Sequence, residues 1–301
     1  MPDDRARPDA FCAPGDGKAR LMRWVICAVV VLAFAPSARA GDFDILRGSQ
    51  PTVQWSGVYG GVQGGFSSSV VNFSTAASSQ VGSILRETAI EKDQHISQWP
   101  VLGSQSPTTA NYGAFVGYNL EWQGSVIVGL ELNYNRVSIS ASSAGAIDRN
   151  FTDSTNLPTG HHYFYDVKVA SQSSLYMTDV ATFRARAGWE ANNFLPYGFI
   201  GLAVARANYS TSATVAYSAS DFVDSSNPPI PPLPDIPVTS GSESNKQDGV
   251  FAYGFATGIG TDISLTSHVF VRGELEYIYF APVNAIHVTL LTARAGVGFK
   301  F

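Results

Sequence analysis

Between Trp55 and Phe301 the chain carries eight segments in which apolar residues alternate with polar or small ones at period two. A strand presents successive side chains to opposite faces, so this pattern selects β-sheet and leaves no room for a helical bundle. Segment 111–123 is the clearest. Tyr112, Ala114, Val116, Tyr118, Leu120 and Trp122 share one face; Asn111, Gly113, Phe115, Gly117, Asn119 and Glu121 share the other. Segment 126–140 opposes Val128, Leu130, Leu132 and Tyr134 to Gly129, Glu131, Asn133 and Asn135. Segment 269–280 sets Val269, Val271, Leu275, Tyr277 and Tyr279 against Arg272, Glu274 and Glu276. The other predicted strands are 55–67, 175–190, 195–209, 249–262 and 285–301, and 195–209 is apolar on both faces.

The connections sort by length. Stretches 68–110, 141–174 and 210–248 are long, whereas 124–125, 191–194, 263–268 and 281–284 are short. Alternate long and short joins are the mark of a transmembrane β-barrel, with long loops on the cell surface and tight periplasmic turns. A soluble sandwich has no reason to sort its loops by side. Face polarity points the same way, because Glu121, Glu131, Arg184, Arg186, Arg272, Glu274, Glu276 and Arg294 all fall opposite the aromatic face. A charge at the lipid midplane costs roughly 2–4 kcal/mol, so the charged face is the lumen. Backbone groups in lipid must all be paired, so the eight strands must close. The expected fold is all-β: an eight-stranded antiparallel transmembrane β-barrel with three long extracellular loops and both termini in the periplasm.

The N-terminus reads as an export signal. Arg20 and Arg23 precede the apolar run from Trp24 to Ala35, and Ala38-Arg39-Ala40 supplies a small-residue cleavage site. Residues 1–40 are therefore expected to be a cleaved signal peptide whose natural start is Met22, with 41–54 a short periplasmic lead and 55–301 the barrel. Both cysteines, Cys12 and Cys27, precede the cleavage site, so no disulfide is expected in the mature chain. Net charge is −5, which excludes nucleic acid as a partner, since phosphate binding needs a basic face.

Trp55-Ser-Gly-Val-Tyr-Gly-Gly-Val-Gln-Gly-Gly-Phe66, Phe183-Arg-Ala-Arg-Ala-Gly-Trp189, Leu195-Pro-Tyr197, Glu274-Leu-Glu-Tyr-Ile-Tyr279 and Ala293-Arg-Ala-Gly-Val-Gly-Phe-Lys-Phe301 follow one another in order. Together they resemble the outer-membrane β-barrel domain family, small OmpA-like surface proteins of Gram-negative bacteria. The resemblance implies an eight-stranded barrel in the outer membrane with no established catalytic residues. The last strand also carries polar-x-Gly-x-x-aromatic-x-aromatic as Arg294, Gly296, Phe299 and Phe301. This resembles the C-terminal signal read by the barrel-assembly machinery, which would recognise a strand edge by β-augmentation.

No chemistry of a known kind is legible. His161-His162 lies in a long connection and reads as solvated, without partners spaced for a metal. Asp93-x-His95 lacks further matched residues for hydrolysis. No helix is expected after residue 41, and no enzyme activity or cofactor. The proline-rich segment from Asn227 to Pro237 reads as a stiff spacer shaping the third loop.

The expected role is that of an integral outer-membrane barrel with a side-chain-filled lumen and a surface-exposed interaction region. The alternatives are a small porin passing solutes and an adhesin or receptor acting through its loops. Eight strands make a barrel just wide enough for side chains to fill, which disfavours the porin. Arg136 and Arg206 are expected at the outer lipid interface, in contact with lipopolysaccharide phosphates.

Overall fold

The computed structural model describes residues 54–155, 157–225 and 229–301. Its strands are β1 (Gly57–Asn72), β2 (Ser104–Gln105), β3 (Thr108–Trp122), β4 (Val126–Asp153), β5 (His161–Trp189), β6 (Phe194–Val223), β7 (Ile236–Ser264), β8 (Val269–Val283) and β9 (Ile286–Lys300). The signal peptide and most of the lead fall outside the described residues. Eight antiparallel strands form a ring in the order β1-β3-β4-β5-β6-β7-β8-β9, closed by β1 on β9 from Tyr59↔Lys300 to Asn72↔His287. The two-residue β2 adds to β1 at Val71 and Asn72, outside the ring.

The joins after β3, β5 and β7 gather at one end, the turn end, together with Trp55 and Phe301. In the join after β3, Gln123 and Gly124 both take positive φ (53° and 79°), as the tightest hairpin turns require. At the opposite, tall end the strands are unequal. β4 to β7 run 28, 29, 30 and 29 residues, while β1, β3, β8 and β9 run 16, 15, 15 and 15.

Much of what reads as long loop is therefore strand. Of 141–174 only 154–160 joins β4 to β5, and of 210–248 only 224–235 joins β6 to β7. The first long connection holds two short helices, α1 (Ser78–Ile84) and α2 (Ala89–Gln94). At 7 and 6 residues they are too short for helical periodicity to show in the sequence or for propensity alone to hold them. They are held by packing: Phe73, Val81, Leu85, Ile90 and Ile96 are buried against Val167, Val169, Val215 and the rest of a large apolar core.

Three register shifts, between Arg136 and Ile139, Met177 and Asp179, and Ala207 and Tyr209, lie at one level of β4, β5 and β6. Polarity inverts there. Towards the turn end the outer face is apolar, with Leu130, Leu132, Phe183, Leu202, Phe251 and Tyr253 exposed, and the inner face carries the charges. Towards the tall end Ser138, Ser140, Ser142, Gln172, Ser212 and Thr214 face outward, while Val137, Ile139, Leu175, Met177 and Val215 are buried inside. One ring thus has a lipid-type wall below the shifts and a water-type wall above them.

Candidate functional site

Below the level of the shifts the lumen is built in layers. At the turn end Trp55, Tyr59, Phe115, Ile127, Leu195 and Phe270 form an aromatic floor, with Phe270 edge-on to Trp55 and Tyr59 at 6.3 and 6.1 Å between ring centres. Trp55 precedes β1, inward positions of β1, β3, β4, β6 and β8 supply the other five side chains, and inward glycines leave room for the rings. A side chain at Gly298 would run into the Phe270 ring, and one at Gly117 into Tyr59.

Above the floor sits a network of charges with side chains at most 2% exposed. Glu131 on β4 is its hub. Its Oε1 accepts from Arg184 Nε at 3.0 Å and also from Nη2. Its Oε2 accepts from Arg272 Nη1 at 2.8 Å, Tyr59 Oη at 2.7 Å and Arg186 Nη1 at 3.3 Å. Glu274 accepts from Arg184 Nη1 at 2.7 Å, Arg294 Nε at 2.8 Å and Tyr197 Oη at 2.9 Å. Glu276 accepts from Arg294 Nη1 at 2.9 Å and Arg184 Nη1 at 3.2 Å. Aromatic faces complete the cage: Arg186 lies 3.9 Å from the Tyr197 ring centre, Arg272 4.0 Å from Phe115 and Arg184 4.2 Å from Phe199. Tyr197 and Phe199 are why segment 195–209 reads as apolar on both faces: its inward aromatics serve cations.

Seven of the eight charges expected in the lumen meet there; Glu121 does not. It lies one residue from the end of β3, exposed at the turn end, and no salt bridge reaches it among the described residues. The fourth anion is Asp262, which accepts from Arg272 Nε and Arg186 Nη2, both at 2.8 Å. Asp262 shares the inward parity of Gly258 and Gly260 and stays in register with Arg272 on β8, a signal that the alternation of β7 carried. The two phenols, Tyr59 and Tyr197, were not legible as members, since aromatics on these strands also face lipid.

Towards the tall end a neutral polar layer follows, in which Gln63 Nε2 donates to Asn133 and Asn135 at 3.0 and 2.7 Å. The apolar core with α1 and α2 closes the top.

Arg136, Asp179 and Arg206 stand in register across β4, β5 and β6, on the outer wall at the level of the shifts. Arg136 Nη1 donates to Asp179 Oδ1 at 2.9 Å, and Tyr134 Oη donates to the same oxygen at 2.6 Å. Both arginines are exposed. In β9, Arg294 points inward while Phe299 and Phe301 point outward at the turn end, ring centres 5.2 Å apart.

The histidine pair is not solvated loop. It opens β5, where His161 is buried with Nδ1 2.7 Å from Asp221 Oδ2 and His162 Nε2 lies 3.3 Å from Asp224. Asp221 also accepts the Leu233 N–H at 2.6 Å. Desolvation pushes its pKa up, but the Leu233 amide and His161 outweigh that and hold the carboxyl below its usual range. Asp221 thereby ties the proline-rich segment to the tip of β6, and Tyr163 Oη, donating to the Pro234 carbonyl at 2.9 Å, ties it to β5. Asp93 and His95 are both exposed around the end of α2.

A model of the outer membrane protein beta-barrel domain matches residues 25–301. No curated protein matches the chain. Among solved structures it is similar to Ail, the attachment invasion locus protein of Yersinia pestis, at 13% identity over 81% of this chain and 99% of that one, with a TM-score of 0.28. Neisserial surface protein A is similar at 13% over 82% and 98%, with a TM-score of 0.34. OprG from Pseudomonas aeruginosa is similar at 11% over 82% and 97%, with a TM-score of 0.29. A further Ail structure is in complex with the heparin analogue sucrose octasulfate.

Proposed function

The chain belongs to the outer membrane protein beta-barrel domain family, and from that premise we propose that this integral outer-membrane barrel is closed to solutes and works through its tall end. One observation carries the reading: Arg184, Arg186, Arg272 and Arg294 meet Glu131, Asp262, Glu274 and Glu276 across the lumen, with every pair buried. Guanidinium forks bind two oxygens at once, so the network fixes geometry as well as charge. Four cations against four anions suit mutual neutralisation; a selective pore has no use for that balance. The protein refolded into a planar bilayer is expected to give no discrete openings. Stepwise conductance in the parent protein would favour the small porin instead.

The second part of the reading is an adhesin or receptor role without enzyme activity. It is supported by four strands that continue roughly 40 Å beyond the Arg136 level with a hydroxyl-rich outer face. The sulfated ligand of Ail is not carried over. On the rising strands and in the join between β6 and β7, exposed Asp148, Asp224, Asp235, Glu243 and Asp248 outnumber Arg149, Lys168 and Lys246, which repels polyanions.

The family and the short turns support an orientation in which the short joins and both chain ends lie in the periplasm and the tall end faces the medium. Export would then remove residues 1–40, and mass spectrometry of the membrane-extracted protein would read a mature terminus at Gly41. Before the ring closes, β9 would offer a free edge with Phe299 and Phe301 on one side, the form in which the assembly machinery would read Arg294, Gly296, Phe299 and Phe301.

Arg136 and Arg206 flank Asp179 where the apolar wall ends, the level at which lipopolysaccharide phosphates lie in an outer leaflet. Arg136→Gln is expected to reduce the gain in heat stability that lipopolysaccharide confers, while stability in plain detergent stays close to the parent's because the pair with Asp179 is exposed. An unchanged gain would assign these arginines to simple snorkelling.

A further inference from the structure

Three asparagines stand two residues before a hydroxyl: Asn72 before Ser74, Asn150 before Thr152 and Asn208 before Ser210. Asn-x-Ser/Thr is the acceptor pattern for N-linked sugar, because the hydroxyl holds the peptide in the transferase while the amide nitrogen is loaded. The bacterial form of the reaction reads one residue more, an acid two positions before the asparagine. Asn72 has Val70 there and Asn208 has Arg206, whereas Asn150 has Asp148. Asp148-Arg149-Asn150-Phe151-Thr152 is thus the one complete acceptor of the three.

The fold separates the same three. Asn72 is paired on both sides, with Ser104 and His287, and its Oδ1 accepts the Ser74 N–H at 2.9 Å. Asn208 stands at the level of the register shifts, and its Oδ1 accepts the Gly249 N–H at 2.6 Å. Asn150 is exposed near the upper end of β4, and no hydrogen bond engages its side-chain amide among the described residues. Phe151 turns inward and stacks on Tyr165 at 5.4 Å between ring centres, which leaves Asn150 and Thr152 together on the outer face. Asp148 faces the same way, exposed, 3.4 Å from Lys168.

We propose that Asn150 is a glycosylation site, loaded with an oligosaccharide from a polyprenyl-diphosphate carrier by a transferase of the periplasm. In the transfer Asn150 Nδ2 forms a bond to the anomeric carbon of the sugar and gives up one proton to a carboxylate base of the enzyme. The bond from that carbon to the diphosphate breaks, and the diphosphate oxygen keeps the electron pair. Timing follows from the fold. In the closed ring Asn150 is paired with Asp166 of β5 in an extended ladder, a shape that cannot bend into an enzyme cleft. The acceptor is free only while the exported chain is unpaired, so attachment precedes ring closure. The inference therefore rests on the export and orientation proposed above. Once the ring closes, the sugar projects from the water-type wall into the medium, clear of the lipid-type wall and of the buried core.

The test is mass spectrometry of the full protein, extracted from the outer membrane of the cells that make it and digested with trypsin. The peptide 150–168 is expected to carry an added oligosaccharide mass and to release sugar fragment ions on collision, while the peptides holding Asn72 and Asn208 stay bare. Asp148→Asn and Thr152→Ala, both exposed changes, should each strip the sugar from that peptide with the folded band retained on unboiled gels. A bare peptide in the parent protein, sugar at Asn72 or Asn208 in its place, or sugar kept by Asp148→Asn would each overturn the proposal. The same spectrum reads the mature terminus. Gly41 at the terminus with a bare Asn150 overturns glycosylation and leaves export standing.

Discussion

Replacing Glu131 with Gln should lower the temperature at which the folded band disappears on unboiled gels by roughly 10 °C or more. The carboxylate is met by Arg184, Arg186 and Arg272 and by the Tyr59 hydroxyl, all deeply buried. Glutamine preserves the shape but offers one acceptor oxygen and no charge, so three guanidiniums lose their common counter-ion in a lumen with little water. Removing one partner of a buried ion pair costs about 3–5 kcal/mol, more than such a pair contributes relative to a well-packed apolar substitute. The same logic ranks Arg294→Ala below it, because Glu274 keeps Arg184 and Tyr197 when Arg294 is gone. Channel recordings on the same two variants give a second readout. If both match the parent in gel mobility and in silence, the plugged lumen is wrong.

Phe73→Ala is expected to loosen the top of the molecule and leave the ring intact. Phe73 is fully buried among Val81, Leu85 and Ile96, where deleting an aromatic side chain costs about 3–5 kcal/mol. The strands below are held by their own ladders and by the ionic layer, so the loss should appear as local opening of α1 and α2. Trypsin cleavage at Arg86 and Lys92, both exposed, should speed up on the order of a hundredfold, while the folded band persists to nearly the parent temperature. A fall in that temperature as large as for Glu131→Gln would mean that cap and barrel unfold as one unit.

What could be read without coordinates was set by the bilayer. Lipid demands an apolar outer face, paired backbone and inward charges, and these demands print a period-two pattern on residues such as Leu130, Leu132 and Tyr134 opposite Glu131 and Asn133. From that pattern came the eight strands, the short joins and seven of the eight lumen charges. The strand limits failed where lipid stops acting. Beyond Arg136 the alternation persists as Ser138-Ile139-Ser140-Ala141-Ser142, but its polarity is reversed, so a search for a lipid-facing stripe ends too early. The helices after Phe73 left no trace because two turns are too few to show a period. Which anion completes the network, and which side chains the two phenols answer, depends on neighbours brought together by ring closure. Glu121 and Asp262 are both acidic and both near a strand end, and only the registers of β3 on β4 and β7 on β8 leave one in solvent and seat the other between two arginines. The sequence by itself determined the strand faces, since each residue's side of the wall is a local choice between lipid and lumen. Tertiary structure alone decided the partners and how far β4 to β7 rise beyond their neighbours, since these depend on ring closure and on the register of each strand against the next.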